Sequence, residues 1–261
     1  MGFARITTDQ QGASFQVLGV RVHAVQIPGV ISALEKWIQQ GRSGAYVAFT
    51  SMHGLAESLR DAQLRHMLNA ADLVAPDGTP LVWLGRHHGY ALKQRCYGPD
   101  FMEDFCRATG ARYKHFFYGA APGVAARLGG ILQQRYGIRV AGSYSPPFRQ
   151  LTEEEDAQVE RTVRLAGPDV LWVGLSTPKQ ERWMFEHRRR LGVPVMLGVG
   201  AAFDFHAGTL RQAPRWIRNH GLEWLFRFAL EPRRLWRRYV IHCPRFVWNA
   251  SLELLGICSF D

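Results

Sequence analysis

Two hydrophobic periods alternate along this chain. Short runs of strand character fall at 45–49, 73–75, 113–118, 138–144, 170–173 and 193–199, and 15–25 reads as a first strand that stops before Pro28. Several of these runs are almost wholly apolar, the pattern of strands buried on both faces. Between them lie segments with helical spacing. One is 30–39, where Ile31, Leu34, Trp37 and Ile38 share a face. Others are 52–69 behind a Thr50-Ser51 cap, 80–87, 99–108, a segment from Gly123 to about Tyr136, and an acidic helix opened by Thr152 and reaching about Leu165.

Strands that alternate with helices of this length imply βαβ units and an α/β fold with a doubly wound, mostly parallel, Rossmann-like sheet. After about residue 213 the alternation gives way to helical, aromatic and arginine-rich segments punctuated by Pro232 and Pro244. The expected organisation is therefore an α/β core over 1–212 and a basic, amphipathic helical appendage over 213–261. No internal repeat or low-complexity linker interrupts it.

Composition sharpens this picture in two ways. A hydrophobic content of 47% against 21% charged residues suits a sizeable core, and the net charge of +10 favours an anionic partner such as a phosphorylated small molecule, an acidic membrane surface or nucleic acid. The four cysteines form no C-x-x-C pair, so neither zinc ribbon nor disulfide framework is indicated, which fits a reducing cytoplasm. No apolar run approaches the roughly 18 residues of a spanning helix, and the N-terminal residues hold no apolar signal core. Cys258-Ser-Phe-Asp261 is a poor prenylation match. A soluble or peripheral protein is expected.

Candidate chemistry gathers where strands should end. In Pro168-Asp-Val-Leu-Trp-Val-Gly174 a buried strand runs toward Ser176-Thr177-Pro178, and Ser or Thr before Pro is a helix start. Lys179, Gln180 and Glu181 then occupy the first helical turn at a strand's carboxyl end, where open α/β sheets bind ligands. An ordinary strand-to-helix turn with solvated Lys and Glu fits the local pattern equally. Asp77-Gly78 follows another strand, as a general base or simply as a turn Asp with its glycine. The Gly119–Gly123 loop could bring amides to a phosphate, but neither it nor Gly198-Val-Gly200 has the spacing of a dinucleotide or Walker loop. Asp204-Phe-His206 lacks a third metal ligand, and no Asp-x-Asp occurs.

The appendage carries nine arginines from Arg211 to Arg245 against Glu223 and Glu231. In 232–241, Arg233, Arg234, Arg237 and Arg238 follow helical spacing, with Leu235, Trp236, Tyr239 and Val240 about half a turn away. Such a helix lies on an anionic membrane or cups a diphosphate. A solvated charged face over a core stripe is the plainer alternative.

Together these pieces resemble the WecG/TagA/CpsF family of bacterial glycosyltransferases. The matches are Ala71-Asp-Leu-Val-Ala-Pro-Asp77-Gly78, Gly98-Pro-Asp100, Phe117-Tyr-Gly119, Pro168 to Gly174 with Pro178-Lys-Gln-Glu181, and Gly198-Val-Gly-Ala-Ala-Phe-Asp204. Ala207-Gly208, Ala213-Pro214, Gly221-Leu-Glu-Trp-Leu-Phe-Arg227 and Glu231-Pro-Arg233-Arg234 continue them in family order.

The resemblance implies an inverting, metal-independent enzyme without a cofactor. It would move a sugar from a UDP-sugar to a polyprenyl-diphosphate-linked saccharide in surface polysaccharide synthesis, as a cytoplasmic protein peripheral to the inner face of the membrane. It makes Asp77 the base and puts Gln180 and Thr50 in the active site. Ser51, Gly78, Gly119, Lys179, Glu181 and Asp204 become substrate-binding positions, and Arg227, Arg233 and Arg237 cover the site and meet the membrane. In that mechanism Gln180 and the arginines stabilise charge developing on the diphosphate. Ser51 stands where many members carry Asn, Ser176 where Gly is usual, and Gln212 where Arg precedes Ala-Pro, which points to a different donor or acceptor. The residues alone keep two rivals open, a nucleic-acid-binding protein and a nucleotide-dependent oxidoreductase, and leave homo-oligomerisation undetermined.

Overall fold

The computed structural model describes residues 12–219 and 222–260. Gly221 of the Gly-Leu-Glu-Trp motif and the side chains of Arg215, Arg234 and Arg238 lie outside the described residues, as do positions 1–11 of the N-terminal reading.

In chain order the elements are β1 Ser14–Val17, β2 Val20–His23, α1 Ile27–Gln39, β3 Ala45–Thr50, α2 Met52–Ser58, α3 Ala62–Asn69, β4 Leu73–Pro76, α4 Thr79–His87, α5 Gly98–Thr109 and β5 Lys114–Gly119. There follow α6 Val124–Tyr136, β6 Arg139–Tyr144, α7 Glu153–Ala166, β7 Val170–Gly174, α8 Lys179–His187, β8 Val195–Gly198 and α9 Ala202–Ala207. The C-terminal segment forms α10 Arg215–Asn219, α11 Glu223–Leu230, α12 Pro232–Trp236, a π-helical turn Arg237–His242 and α13 Cys243–Leu254.

Six parallel strands form the main sheet in the order β4-β3-β8-β7-β5-β6. Successive side chains on a strand point to opposite faces, and both faces are covered, as the apolar runs required. Tyr46, Ala48, Phe116, Tyr118, Leu171, Val173 and Met196 pack with Leu55 and Leu64 of α2 and α3 and with Trp183 and Met184 of α8. Val47, Phe49, Phe117, Trp172 and Leu197 face the other way, toward Val30, Leu34, Phe101, Phe105, Leu128 and Phe203. The chain steps outward from β3 to β4, crosses to β5 and β6, and returns through β7 and β8 to lie against β3. The carboxyl ends of β3, β4, β7 and β8 are thereby neighbours beside a reversal of strand order, where such sheets hold ligands.

Three expectations need correction. The segment 15–25 is an antiparallel hairpin, β1 paired with β2, because Leu18 and Gly19 both take positive φ (53° and 75°) and reverse the chain. It covers the free edge of β4, where His23 Nδ1 accepts the Val74 N–H at 3.0 Å. The segment 52–69 breaks into two helices, since the Asp61 carboxylate caps α3 by accepting the Leu64 N–H at 3.0 Å. The helix expected across 232–241 passes from α12 into the π-helical turn, and its apolar set divides: Leu235 is buried while Trp236 and Val240 are exposed.

The C-terminal helices are part of the fold's packing. Phe246 and Ala250 of α13 join the core layer on the α2 side of the sheet. Among the described residues no helix is long and apolar enough to cross a membrane.

Two buried imidazoles tie stability to pH. Burial lowers the pKa of both His23 and His115 to about 4. His115 Nδ1 accepts the Trp172 indole N–H at 2.9 Å, a bond that needs the neutral ring. The unfolded chain takes up protons near the ordinary value of 6.5 while the native chain refuses them, so stability falls as pH drops from about 6.5 toward 4, by roughly 1–3 kcal/mol per group. His115→Gln keeps an acceptor for Trp172 and should flatten this slope, read as urea midpoints between pH 4 and 7.5. An unchanged slope would clear His115.

Candidate active site

The β3–β4 ladder determines where Asp77 falls. Thr50 pairs with Pro76 in register, and the Thr50 carbonyl accepts the Asp77 N–H at 2.7 Å, one residue past the strand end. Asp77 is left half-buried at the carboxyl edge of the sheet. The Pro76 carbonyl in turn accepts the Cys96 N–H at 2.9 Å and draws the loop before α5 alongside. Desolvation works against the charge on Arg95 there, yet Glu223 and Asp77 together hold its pKa above the usual value. The Asp77 charge also adds to burial in raising the Cys96 thiol and the Tyr97 phenol.

The C-terminal segment closes on this loop. Glu223, the first residue of α11, is 5% exposed, and its carboxylate accepts from the Arg95 guanidinium and the Tyr97 hydroxyl. The guanidinium lies 4.1 Å from the Tyr97 ring centre. Arg218 Nη1 meets Asp100 Oδ1, at the start of α5, at 2.5 Å. Beside Asp77-Gly78 this leaves a polar cleft of about 560 Å³ lined by Thr79, Arg86, Lys93, Arg95, Asp100 and Arg218.

β7 supplies the other half. Ser176 takes φ +66°, the left-handed region that favours glycine, and the Thr177–Pro178 peptide is cis. The cap position of α8 is Pro178, not Ser176 or Thr177, because the Thr177 hydroxyl is used elsewhere, donating to Glu181 Oε1 at 2.8 Å. Gln180 Nε2 donates to the same Glu181 oxygen and to the Gly198 carbonyl, both at 3.1 Å. Its two N–H bonds are thus engaged. The group Gln180 offers outward is its carbonyl oxygen, an acceptor, near Gly200: a Cβ there would lie 3.5 Å from it. An acceptor oxygen of this kind adds nothing to the stabilisation of an anion.

Glu181 has no exposed surface, and burial raises its pKa against the pull of the Thr177 and Gln180 hydrogen bonds. Three atoms here, Thr50 Oγ1, Gln180 Oε1 and Glu181 Oε2, are buried and without a hydrogen-bond partner. Leaving a buried polar group unsatisfied costs about 1–3 kcal/mol, so such atoms call for a partner, which a ligand, a catalytic task or an ordered water supplies. The two halves meet at α2, where a Cβ on Gly54 would come 2.6 Å from Thr50 Oγ1 and 3.7 Å from Thr177 Cγ2.

The remaining expected residues scatter. Ser51 neighbours Gly78, its Cβ 3.9 Å from where a Cβ on Gly78 would stand. Gly119 serves close strand packing, since a Cβ would sit 2.6 Å from the Gly174 carbonyl oxygen. Lys179 is exposed at the start of α8. The Asp204 carboxylate accepts from the Thr209 hydroxyl at 3.0 Å in the turn that ends α9. Arg227 is half-buried with its guanidinium 5.5 Å from the Phe205 ring centre, whereas Arg233 and Arg237 are exposed. Thr50, Ser51, Asp77, Gly78, Gln180 and Glu181 are gathered at one edge; Arg233 and Arg237 lie on the outer surface of the C-terminal segment. The sequence reading missed Arg95, Tyr97 and Glu223. The one available signal was Glu223 itself, a rare acid inside an arginine-rich stretch.

Comparison with known proteins matches this arrangement to a family. The chain resembles the N-acetylglucosaminyldiphosphoundecaprenol N-acetyl-beta-D-mannosaminyltransferase of Bacillus spizizenii (strain W23), 27% identical over 224 residues, which is 85% of this chain and 84% of the relative. The protein of that name from Bacillus subtilis (strain 168) is 27% identical over 225 residues, 85% of each chain. That from Staphylococcus aureus (strain NCTC 8325) is 29% identical over 186 residues, 71% of each. Residues 15–257 match the model of the glycosyl transferase WecG/TagA/CpsF family, to which the chain therefore belongs.

Proposed function

We propose that this glycosyltransferase moves a sugar, with inversion, from a UDP-sugar to a saccharide carried on a polyprenyl diphosphate, in bacterial surface polysaccharide synthesis. The observation that carries this reading is the juxtaposition at one sheet edge of a carboxylate, Asp77, with three unpartnered buried polar atoms on Thr50, Gln180 and Glu181. The names of the relatives support the acceptor class, an N-acetylglucosaminyl-diphospho-undecaprenol. Nucleic-acid binding and hydride transfer, which net charge and a parallel sheet also allowed, lose their footing with family membership.

The reaction is a single displacement. Asp77 takes the proton of an acceptor hydroxyl as its oxygen bonds to the anomeric carbon, and the bond from that carbon to the UDP oxygen breaks on the opposite face. Gln180 Oε1 and Thr50 Oγ1 orient the sugars by accepting, and in the case of Thr50 also donating, hydrogen bonds. Charge gathering on the leaving diphosphate is met by backbone amides at helix starts and by Arg227, a preorganised electrostatic contribution. The proposed steps invoke no metal, in keeping with a sequence that holds no Asp-x-Asp clamp. Arg233 and Arg237, with the exposed Trp216, Trp224, Trp236 and Trp248, rest the protein on the anionic inner face of the cytoplasmic membrane, where the lipid-linked acceptor lies.

Asp77→Asn should lower turnover, measured as UDP release, by about 10²–10⁴ with thermal stability retained; near-normal turnover would remove Asp77 from the chemistry. A saturating UDP-sugar should raise Tm while NAD and oligonucleotides leave it unchanged, since only a ligand of the native state stabilises. Deleting the C-terminal segment would strip Phe246 and Ala250 from the core, so the membrane contact is better tested by charge reversal. Arg233→Glu with Arg237→Glu should abolish co-sedimentation with vesicles rich in phosphatidylglycerol and leave circular dichroism intact. Unchanged sedimentation would refute that contact.

A further inference from the structure

The C-terminal segment touches the core a second time, away from Glu223, where the π-helical turn crosses α2. His53 and Glu57 stand one helical turn apart on α2 and so share a face. His242, the last residue of the π-helical turn, meets them there. One ligand atom from each of the three residues lies within 4.8 Å of the other two. His242 Nδ1 is 3.2 Å from Glu57 Oε1, and the two imidazole centroids are 5.2 Å apart with their planes at 71°. The site is shielded but reachable, with the His242 and Glu57 side chains 12% and 28% exposed.

We propose that His53, Glu57 and His242 form a binding site for a divalent transition metal, Zn²⁺ by its donor chemistry, which clamps the C-terminal helices to α2. Two imidazoles and one carboxylate make a mixed nitrogen and oxygen set of the kind zinc takes, whereas magnesium and calcium sites are built from oxygen. The 3.2 Å between His242 Nδ1 and Glu57 Oε1 matches the about 3.3 Å edge of a tetrahedron whose ligands stand roughly 2.0–2.1 Å from zinc. Three protein ligands leave one position to water. The π-helical turn has a mechanical part in this: widening the helix by one residue re-aims side chains, and here His242 ends against α2 while Arg237 and Val240 face outward.

A second cluster, Asp156, Glu160 and His187, has comparable spacing but already holds its cation. Arg190 Nη2 is 2.6 Å from Glu160, Arg190 Nη1 is 3.7 Å from Asp156, and His187 Nε2 is 2.9 Å from Asp156. It serves as the internal control.

The clamp stands independently of the transferase reading, and its test needs no turnover. Full-length protein without a histidine tag, stripped with a chelator and dialysed, is titrated with zinc chloride. The expected result is about one equivalent bound at micromolar or tighter affinity, with Tm raised and tryptic cleavage at Arg237 and Arg245 slowed, because metal bound only by the folded chain stabilises it. Glu57→Gln, close in shape to the native side chain, and His242→Ala should each weaken binding by about tenfold or more, while Asp156→Asn should not. Glu57→Gln decides the matter if His242→Ala does not fold. Absence of stoichiometric uptake, or uptake that survives both Glu57→Gln and His53→Ala, would overturn the proposal.

Discussion

The site depends on how closely α8 can lie on the end of β8. Gly198 permits the contact: a Cβ there would come 2.6 Å from Met184 Cε and 3.3 Å from the Gln180 amide. With that volume free, Gln180 reaches the Gly198 carbonyl, and the bond fixes which end of its amide faces the strand. Glu181 follows as the next residue, pressed into the interior with Thr177 on one of its oxygens. A single missing methyl group thus decides that the sheet edge displays a carbonyl acceptor beside a buried carboxyl. A Cβ at Gly198 would displace the Met184 methyl and crowd the Gln180 amide whose hydrogen bond to the strand sets its orientation.

The C-terminal helices are held to that edge by an almost fully buried carboxylate. Glu223 bridges Arg95 and Tyr97, residues whose loop is drawn to β4 by the Cys96 N–H on the Pro76 carbonyl. The position of α11 is therefore indexed to the strand that presents Asp77. Burying such a pair contributes little net stability, but removing one partner strands the other charge in the interior. The arrangement acts as a locator more than as glue, and it fixes the basic C-terminal segment relative to the edge that carries Asp77.

Much of the fold was legible because parallel strands buried on both faces leave an unambiguous apolar signature. Val170 to Val173 and Ala45 to Phe49 announced β7 and β3, and the turn residues that follow them marked the edge where the candidate site gathers. Asp77 and Gln180 could be nominated since each lies past the end of a predicted strand, whereas Thr50, the last residue of β3, entered through the family resemblance. What escaped was set by contacts distant in sequence. Nothing local distinguishes Phe15 to Val25 as a hairpin until Leu18 and Gly19 are seen at positive φ. Arg95 and Tyr97 sit in a stretch without periodicity, and their meaning comes from Glu223, over a hundred residues away. The family's preference for glycine at position 176 became physically intelligible only with the left-handed backbone there. The orientation of the Gln180 amide could not be read from composition at all, because it is written in two hydrogen bonds.

The hairpin turn and α13 are joined across the whole chain. The Leu18 N–H is shared between the two Glu253 carboxylate oxygens at 3.1 and 2.9 Å, a separation of 235 residues, and the Phe260 carbonyl packs against Gly19. The hairpin turn is therefore completed by a carboxylate far along the chain. Without α13 in place the turn's amide has only water to bond, while the His23–Val74 bond still ties the hairpin to β4. A contact so distant in sequence carries a large loop-closure cost, so the hairpin turn gains these hydrogen bonds only once the core between them has formed.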